Sequence, residues 1–464
     1  MKNEKLLRVL SITALIVIIL TWLIRSSTYD GYNITLGLVS PVGIWDLFSA
    51  FGVATAYFWQ AGLFILFVGG FYGVINKTGS LKLLVERIKK KFRGKEKWFL
   101  VISIALFMIT SSLTGIYFPL FVFIPLFVAI ILSIGYTKLS ALLCTVGAII
   151  IGNMSLIYNN LVNQSLYLTG FSNLWYKLAL LALTLGLTTL YVWKTAQMKK
   201  GKREINESML FLEEGLNKTT VKKRWPLMTT FIALFVLLVL GITPWYNMFG
   251  TEMFNKMYGS VMEFSIGNFT IFKNILGQTV LPFGQWGMVE LLTLLALFSL
   301  FMAVAHKLTF RQTAQGFVRG VNKLLPTAII IVIINIVVVF TLNSGFYTTV
   351  MNFLVNLTEN MNIATMAFNT FIGSMLVVDN LYFANYIMTI TSNLINNEAS
   401  MPLLAFIGQT MYGSAMLIAP TSLLLLAGLS YIDVPYQEWM KYIWRLLLML
   451  LAVIFIILFL STLL

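Results

Sequence analysis

The sequence predicts an all-α polytopic membrane protein, built as an inverted repeat with two re-entrant hairpins and two broken helices. It has about 9 full spans and its N-terminus inside. Three observations carry that prediction. The 464 residues are 59% hydrophobic and 11% charged, with mean hydropathy +0.87, and apolar runs of about 20 residues recur throughout. The basic residues cluster in short segments between those runs, as the positive-inside rule expects. Polar clusters interrupt the apolar runs at corresponding places in the two halves.

The elements follow in order. Residues 9–24 come after Lys2, Lys5 and Arg8 with no small-residue cleavage site behind them, so they read as an uncleaved first span. Residues 57–76 return to the basic segment 77–97. Residues 98–134 hold two apolar arms around Ser111-Ser112-Leu113-Thr114-Gly115, either a hairpin entering from the cytoplasm or two short spans. Residues 139–170 break at Gly152-Asn153-Met154-Ser155 and at Asn159-Asn160, and 174–193 lead back inward from a Trp175-Tyr176 belt. The segment 194–224 is again strongly basic. Residues 227–243 lead out and 286–305 lead in. Residues 308–323 are a basic amphipathic connector, and 326–343 lead out once more. Residues 362–396 form two arms around Asp379-Asn380, entering from the outer side. Residues 402–431 break at Gly408, Gly413 and Pro420, and 443–464 are the last span. The division is 1–193 for the first repeat, 194–285 for the basic loop, linking span and outer loop, and 286–464 for the second repeat. Lipid-exposed irregular backbone is not tolerated, so the hairpin tips and breaks line a polar cavity.

Net charge is +15, but its confinement to short loops excludes a nucleic-acid-binding face. Cys144 is the single cysteine, so an intrachain disulfide and a multi-thiol metal site are excluded. His306, the single histidine, reads as a snorkelling helix end. Glu86, Glu96, Glu204, Glu207, Glu213 and Glu214 lie in basic loops, and Glu290 at the outer end of a span. Sequons at Asn33 and Asn268 fall in outer loops, but the Lys/Asn/Ile-rich composition looks bacterial. Gly69-Gly70-Phe-Tyr-Gly73 lacks the Lys-Ser/Thr of a nucleotide loop and reads as close helix packing.

A carboxylate in hydrocarbon costs several kcal/mol, so Asp379 is the foremost functional candidate. The candidate site comprises Ser111, Ser112, Thr114, Asn153, Ser155, Asn159, Asp379, Asn380, Ser414, Thr421 and Ser422, with Gln409, Thr410, Gly413 and Asn385 in the same clusters. Helix N-termini at breaks suit a carboxylate, and freed carbonyls with Asn, Ser and Thr oxygens suit Na⁺, here near Asn153, Asp379 and Thr421. No cofactor is expected beyond a coupling Na⁺ or H⁺. The expected partners are a small-molecule solute and the lipid bilayer of the cell membrane, with no nucleic acid.

Three segments then carry a family resemblance: Gly69-Gly-Phe-Tyr-Gly-Val-Ile-Asn-Lys-Thr-Gly79; Phe317-Val-Arg-Gly320 with Leu325-Pro-Thr-Ala-Ile-Ile330; and Ile418-Ala-Pro-Thr-Ser422 with Val434-Pro-Tyr-Gln-Glu-Trp439. In order and spacing, from about residue 40 to 445, the chain resembles the YfcC and C4-dicarboxylate anaerobic carrier family of the ion transporter superfamily. The resemblance implies an inverted-repeat carrier for small carboxylates or amino acids, often a homodimer. Departures are visible. Thr114-Gly-Ile-Tyr117 stands where the family often has acids, Asn159-Asn160 where it usually has Asn-Pro, and Tyr412-Gly-Ser-Ala-Met416 where it has an acidic, Gly and Thr-Asn pattern. Either the solute is less charged, or Asp379 has taken over a role held elsewhere in the family. The expected function is thus secondary active transport of an amino acid, short peptide or carboxylate, by symport or exchange. A membrane-embedded enzyme acting on lipid or glycan would need acids, His or Arg clustered at one interface. A channel would need repeated pore rings. The sequence offers neither.

Overall fold

The computed structural model describes residues 4–30, 34–196, 198, 210–212, 225–267, 269–357, 363–395 and 400–463. The fold is helical. Among the described residues eight helices are long and apolar enough to cross a membrane: Glu4–Leu23, Trp59–Thr78, Glu96–Thr114, Leu174–Thr195, Trp225–Ile242, Met288–Ala305, Phe310–Asn343 and Tyr436–Ser461. The only sheets there are two short antiparallel hairpins, Arg25–Tyr29 with Ile34–Val39, and Ser265–Ile266 with Phe269–Thr270. Glu204, Glu207, Glu213, Glu214, Asn33 and Asn268 lie outside the described residues.

Two long helices form the spine. Ile44–Thr78 starts well before the expected 57, and Phe310–Asn343 runs unbroken where a connector at 308–323 and a separate span at 326–343 were expected. Pro326 sits inside that second helix. It removes one backbone donor, which a helix tolerates when its neighbours pack around the gap. The two helices cross antiparallel through glycines. A Cβ at Gly69 would lie 2.5 Å from the Gly320 carbonyl oxygen, and one at Gly73 would lie 2.8 Å from Gly320 Cα. Close helix packing, the sequence reading of Gly69 and Gly73, is what they do. Gly316 and Gly320 supply the matching surface of the partner helix.

A similar order of elements then follows each spine helix. After Ile44–Thr78 come a short helix Ser80–Lys91, a hairpin of Glu96–Thr114 and Phe118–Ile134, a broken helix of Lys138–Met154 and Asn160–Ser165, and the helix Leu174–Thr195. After Phe310–Asn343 come Phe346–Asn356, a hairpin of Ile363–Leu376 and 380–395, a broken helix of Met401–Met416 and Leu423–Ile432, and Tyr436–Leu463. In each set the first hairpin arm packs on the first part of the broken helix, and the two broken helices pack on each other. Gly152 faces the Met108 backbone, and Gly413 faces Met154, where an added Cβ would be 2.8 Å from Met154 Cα.

That corrects one expectation. Gly408 and Gly413 do not break their helix, which runs intact to Met416, so the break is 417–422 alone. These glycines admit close neighbours, Met388 at Gly408 and Met154 at Gly413. The first break is 155–159, with Gly152 still helical. His306 is also corrected. It is buried at the end of Met288–Ala305, with Nδ1 3.1 Å from the Met302 carbonyl, rather than snorkelling to water.

Segments expected on the basic side meet one another. Lys97 Nζ donates to the Trp193 carbonyl (2.8 Å), Lys138 Nζ to the Asp433 carbonyl (3.1 Å), and the Lys77 side chain lies against Gly316. At the other end Asn173 Nδ2 donates to the Pro402 carbonyl (2.8 Å), and Ser27 shares a hydrogen bond with Thr349 (2.6 Å). Glu290 there caps its helix by accepting from Gly287 N (2.8 Å).

Candidate solute site at the hairpin tips and breaks

The site is built where both hairpin tips and both breaks converge. Gly115, at φ +75°, ends the first arm in the left-handed conformation that glycine adopts without strain, and turns the chain toward Tyr117. The second hairpin turns at 377–379, where Asp379 accepts a hydrogen bond from Tyr382 N (2.8 Å) and so caps the arm that follows. A π-helical segment, Phe383–Met388, lies just beyond. Such bulges are rare and tend to occur at functional sites.

Asp379 lines a cavity of about 200 Å³. Its walls include Gln60 from the first spine helix, Tyr117 from the first hairpin tip, and Met416 and Leu423 from either side of the second break. Among the described residues Asp379 is the sole charged one in the lining. The Tyr412 ring is stacked on Phe383 at 4.5 Å.

Beside Asp379 runs a chain of side-chain amides that ties the two halves together. Asn159 Nδ2 donates to Asn380 Oδ1 (3.1 Å) and to Gln409 Oε1 (2.8 Å). Gln409 Nε2 donates to the Asn153 carbonyl (2.9 Å) and to Asn153 Oδ1 (3.3 Å), and Asn153 Nδ2 points at Met416 Sδ (3.3 Å). Ser112 joins the first hairpin to the first break. Its Oγ donates to the Ser155 carbonyl (2.6 Å), Ser155 Oγ donates back to Ser112 Oγ (3.2 Å), and the Ser112 carbonyl accepts from Ile157 N (3.0 Å). Thr421 Oγ1 makes the matching bridge in the second half, to the Met375 carbonyl (3.1 Å).

Six of the sequence candidates are thus drawn into direct contacts between elements: Ser112, Asn153, Ser155, Asn159, Asn380 and Thr421. Asp379 lines the cavity, and its carboxylate makes the local cap to Tyr382 N. Thr114 and Ser414 are not. Each hydroxyl donates four residues back within its own helix, to Thr110 (2.6 Å) and Thr410 (2.7 Å). Ser111 and Ser422 are buried, and among the described residues their hydroxyls have no hydrogen-bond partner.

The second break is closed by the last helix, Tyr436–Leu463. Trp439 Nε1 donates to the Leu417 carbonyl (3.0 Å), and the Tyr436 hydroxyl donates to the Ile418 carbonyl. In the first half the corresponding donor is Lys177, whose Nζ donates to the Ile157 carbonyl (3.1 Å) and which is only 4% exposed. Tyr117, Gln60 and Lys177 were missed in the sequence. For Lys177 a signal existed, because it stands just behind the Trp175-Tyr176 belt on the side from which most basic residues are absent.

Comparison with known proteins bears on this arrangement. A family model described as C4-dicarboxylate anaerobic carrier matches residues 52–463. An uncharacterized protein of Haemophilus influenzae is 38% identical over 88 residues, covering 19% of this chain and 16% of that one, so the chain matches less than a fifth of that relative's length. Among solved structures, the YdaH transporter of Alcanivorax borkumensis, described as having an unusual topology, aligns over 98% of this chain and 97% of its own at 12% identity. The TM-score is 0.38, too low to carry an argument.

Proposed function

Because the chain belongs to the C4-dicarboxylate anaerobic carrier family and is a multi-pass membrane transporter of the bacterial plasma membrane, we propose that it is a secondary active carrier of a small carboxylate-bearing solute. It works by alternating access and is driven by an ion gradient or by counter-solute. The observation that carries this reading is the position of Asp379. It lines a cavity of about 200 Å³ at the junction of two hairpin tips and a helix break. An engineered cavity of about 150 Å³ admits benzene, so this one is on the scale of a small metabolite.

Among the described residues the lining holds one acid and no base. A dianion entering it meets like charge, which disfavours binding unless Asp379 is neutralised. Asp379 is therefore the place where a coupling cation, Na⁺ or H⁺, enters with the solute. The same lining favours a second reading, in which the solute is an amino acid or short peptide and its own ammonium faces Asp379. The two halves act as inverted copies around this site. That is supported by the repeated element order and by the pairing of each hairpin arm with its own broken helix.

The test is uptake into proteoliposomes of labelled succinate, aspartate and a dipeptide under Na⁺ or pH gradients, with wild type and Asp379→Asn side by side. Saturable uptake is expected, with the gradient-driven component falling at least about tenfold in the variant, or about 1.4 kcal/mol. Dependence on an imposed gradient with succinate supports the cation role, and preference for aspartate or dipeptide without one supports the ammonium role. Wild-type kinetics in a folded Asp379→Asn protein would sink the assignment.

A further inference from the structure

Lys177 is placed against ordinary expectation on three counts. It lies in the first turn of Leu174–Thr195, the positive end of the helix dipole, where an acid is favoured and a cation is not. It is 4% exposed. Among the described residues no carboxylate lies within ion-pair distance of it, and its one hydrogen bond goes to the Ile157 carbonyl. A buried, unpaired ammonium is costly, and side chains of this kind in membrane proteins are retained for a role.

The second half shows what the alternative looks like. Trp439 is the fourth residue of Tyr436–Leu463, as Lys177 is the fourth of Leu174–Thr195, and each donates to a carbonyl in the break of the broken helix that precedes it in the chain. A neutral indole is enough to satisfy a freed carbonyl, so hydrogen bonding alone does not call for a charge at the first break. The other oxygens there are also engaged. The Asn153 carbonyl and Oδ1 accept from Gln409, and the Ser155 carbonyl accepts from Ser112.

We infer that the Lys177 ammonium is a built-in cation at the first break, seated on the freed Ile157 carbonyl four residues along the chain from Asn153, where a metal-coupled carrier would offer oxygens to Na⁺. The protein therefore binds no Na⁺ at Asn153, and any Na⁺ requirement arises at Asp379. The inference rests on the carrier reading for its consequence, but it is tested by cation binding, which needs no transported solute.

The experiment is thermal denaturation of the purified full chain in detergent, in NaCl against choline chloride at equal ionic strength. Asp379→Asn, which keeps Lys177, is expected to show no Na⁺-specific rise in Tm. Lys177→Ala empties the break of its cation and is expected to gain a Na⁺-specific rise of about 3–5 °C. That rise should persist in the Lys177→Ala, Asp379→Asn double variant and vanish when Asn153→Ala is added. A Na⁺-specific rise in Asp379→Asn alone that Asn153→Ala removes would overturn the inference. So would a folded Lys177→Ala protein responding to Na⁺ only as wild type does. If Lys177→Ala elutes as aggregate, the Asp379→Asn measurement still decides, since it leaves Lys177 in place.

Discussion

At the scale of single residues, the molecule separates polar side chains that join elements from those that serve only their own helix. Gln409 belongs to the first kind. It is 2% exposed and gives or takes three hydrogen bonds, to the Asn153 carbonyl, Asn153 Oδ1 and Asn159. Gln409→Leu leaves those amide and carbonyl groups short of partners, at about 1–3 kcal/mol for each group left unsatisfied. A clear fall in Tm is expected in detergent, whereas Ser414→Ala should be close to neutral because its hydroxyl only bonds back to Thr410. Equal losses in the two variants would show that the amide chain carries no special weight. Sequence alone places Asn153, Asn159 and Asp379 in polar clusters, since each stands out within an apolar run. It does not show that Asn159 meets Gln409 across 250 positions. Nor does it reveal Lys177, because a single basic residue beside a Trp-Tyr belt looks like interfacial trim until its burial is seen.

At the scale of elements, glycine was the ambiguous sign. Gly69 and Gly73 were legible as packing residues because they sit four apart inside an unbroken apolar run. Gly408 and Gly413 are five apart and lie near Pro420, and there the same residue type suggested a break that the structure does not have. The spine crossing makes a prediction within one element. Gly73→Ala puts a methyl 2.8 Å from Gly320 Cα, and backbone cannot yield as a side chain can, so a loss of about 3 kcal/mol or more is expected. Gly62→Ala, in the same helix with nothing within 4 Å of the added carbon, should be neutral or stabilising by up to about 1 kcal/mol. Thermal scans of the pair check this, and similar behaviour of the two would mean that the helices do not meet through their glycines.

At the scale of the whole molecule, apolar run lengths and the clustering of basic residues made the helical membrane class legible. Helix bounds were less so, because Ile44–Thr78 and Phe310–Asn343 both extend through residues too polar or too basic to be counted within a span. Sidedness can be checked with one native residue removed. Cys144 is fully buried, so the folded wild type should not react with a membrane-impermeant maleimide. In a Cys144→Ala background, a cysteine at Tyr167, which is 94% exposed, should be labelled from outside intact cells, and one at Lys91 only after the membrane is opened. The reverse pattern would invert the topology. The glycine crossing has a last consequence. Two helices whose main chains touch have no layer of side chains between them to shuffle, so they offer no slip plane. The pair behaves as one beam belonging to both halves of the chain. In the proposed alternating-access cycle, whatever opens first to one side and then to the other would swing about that beam and not part it.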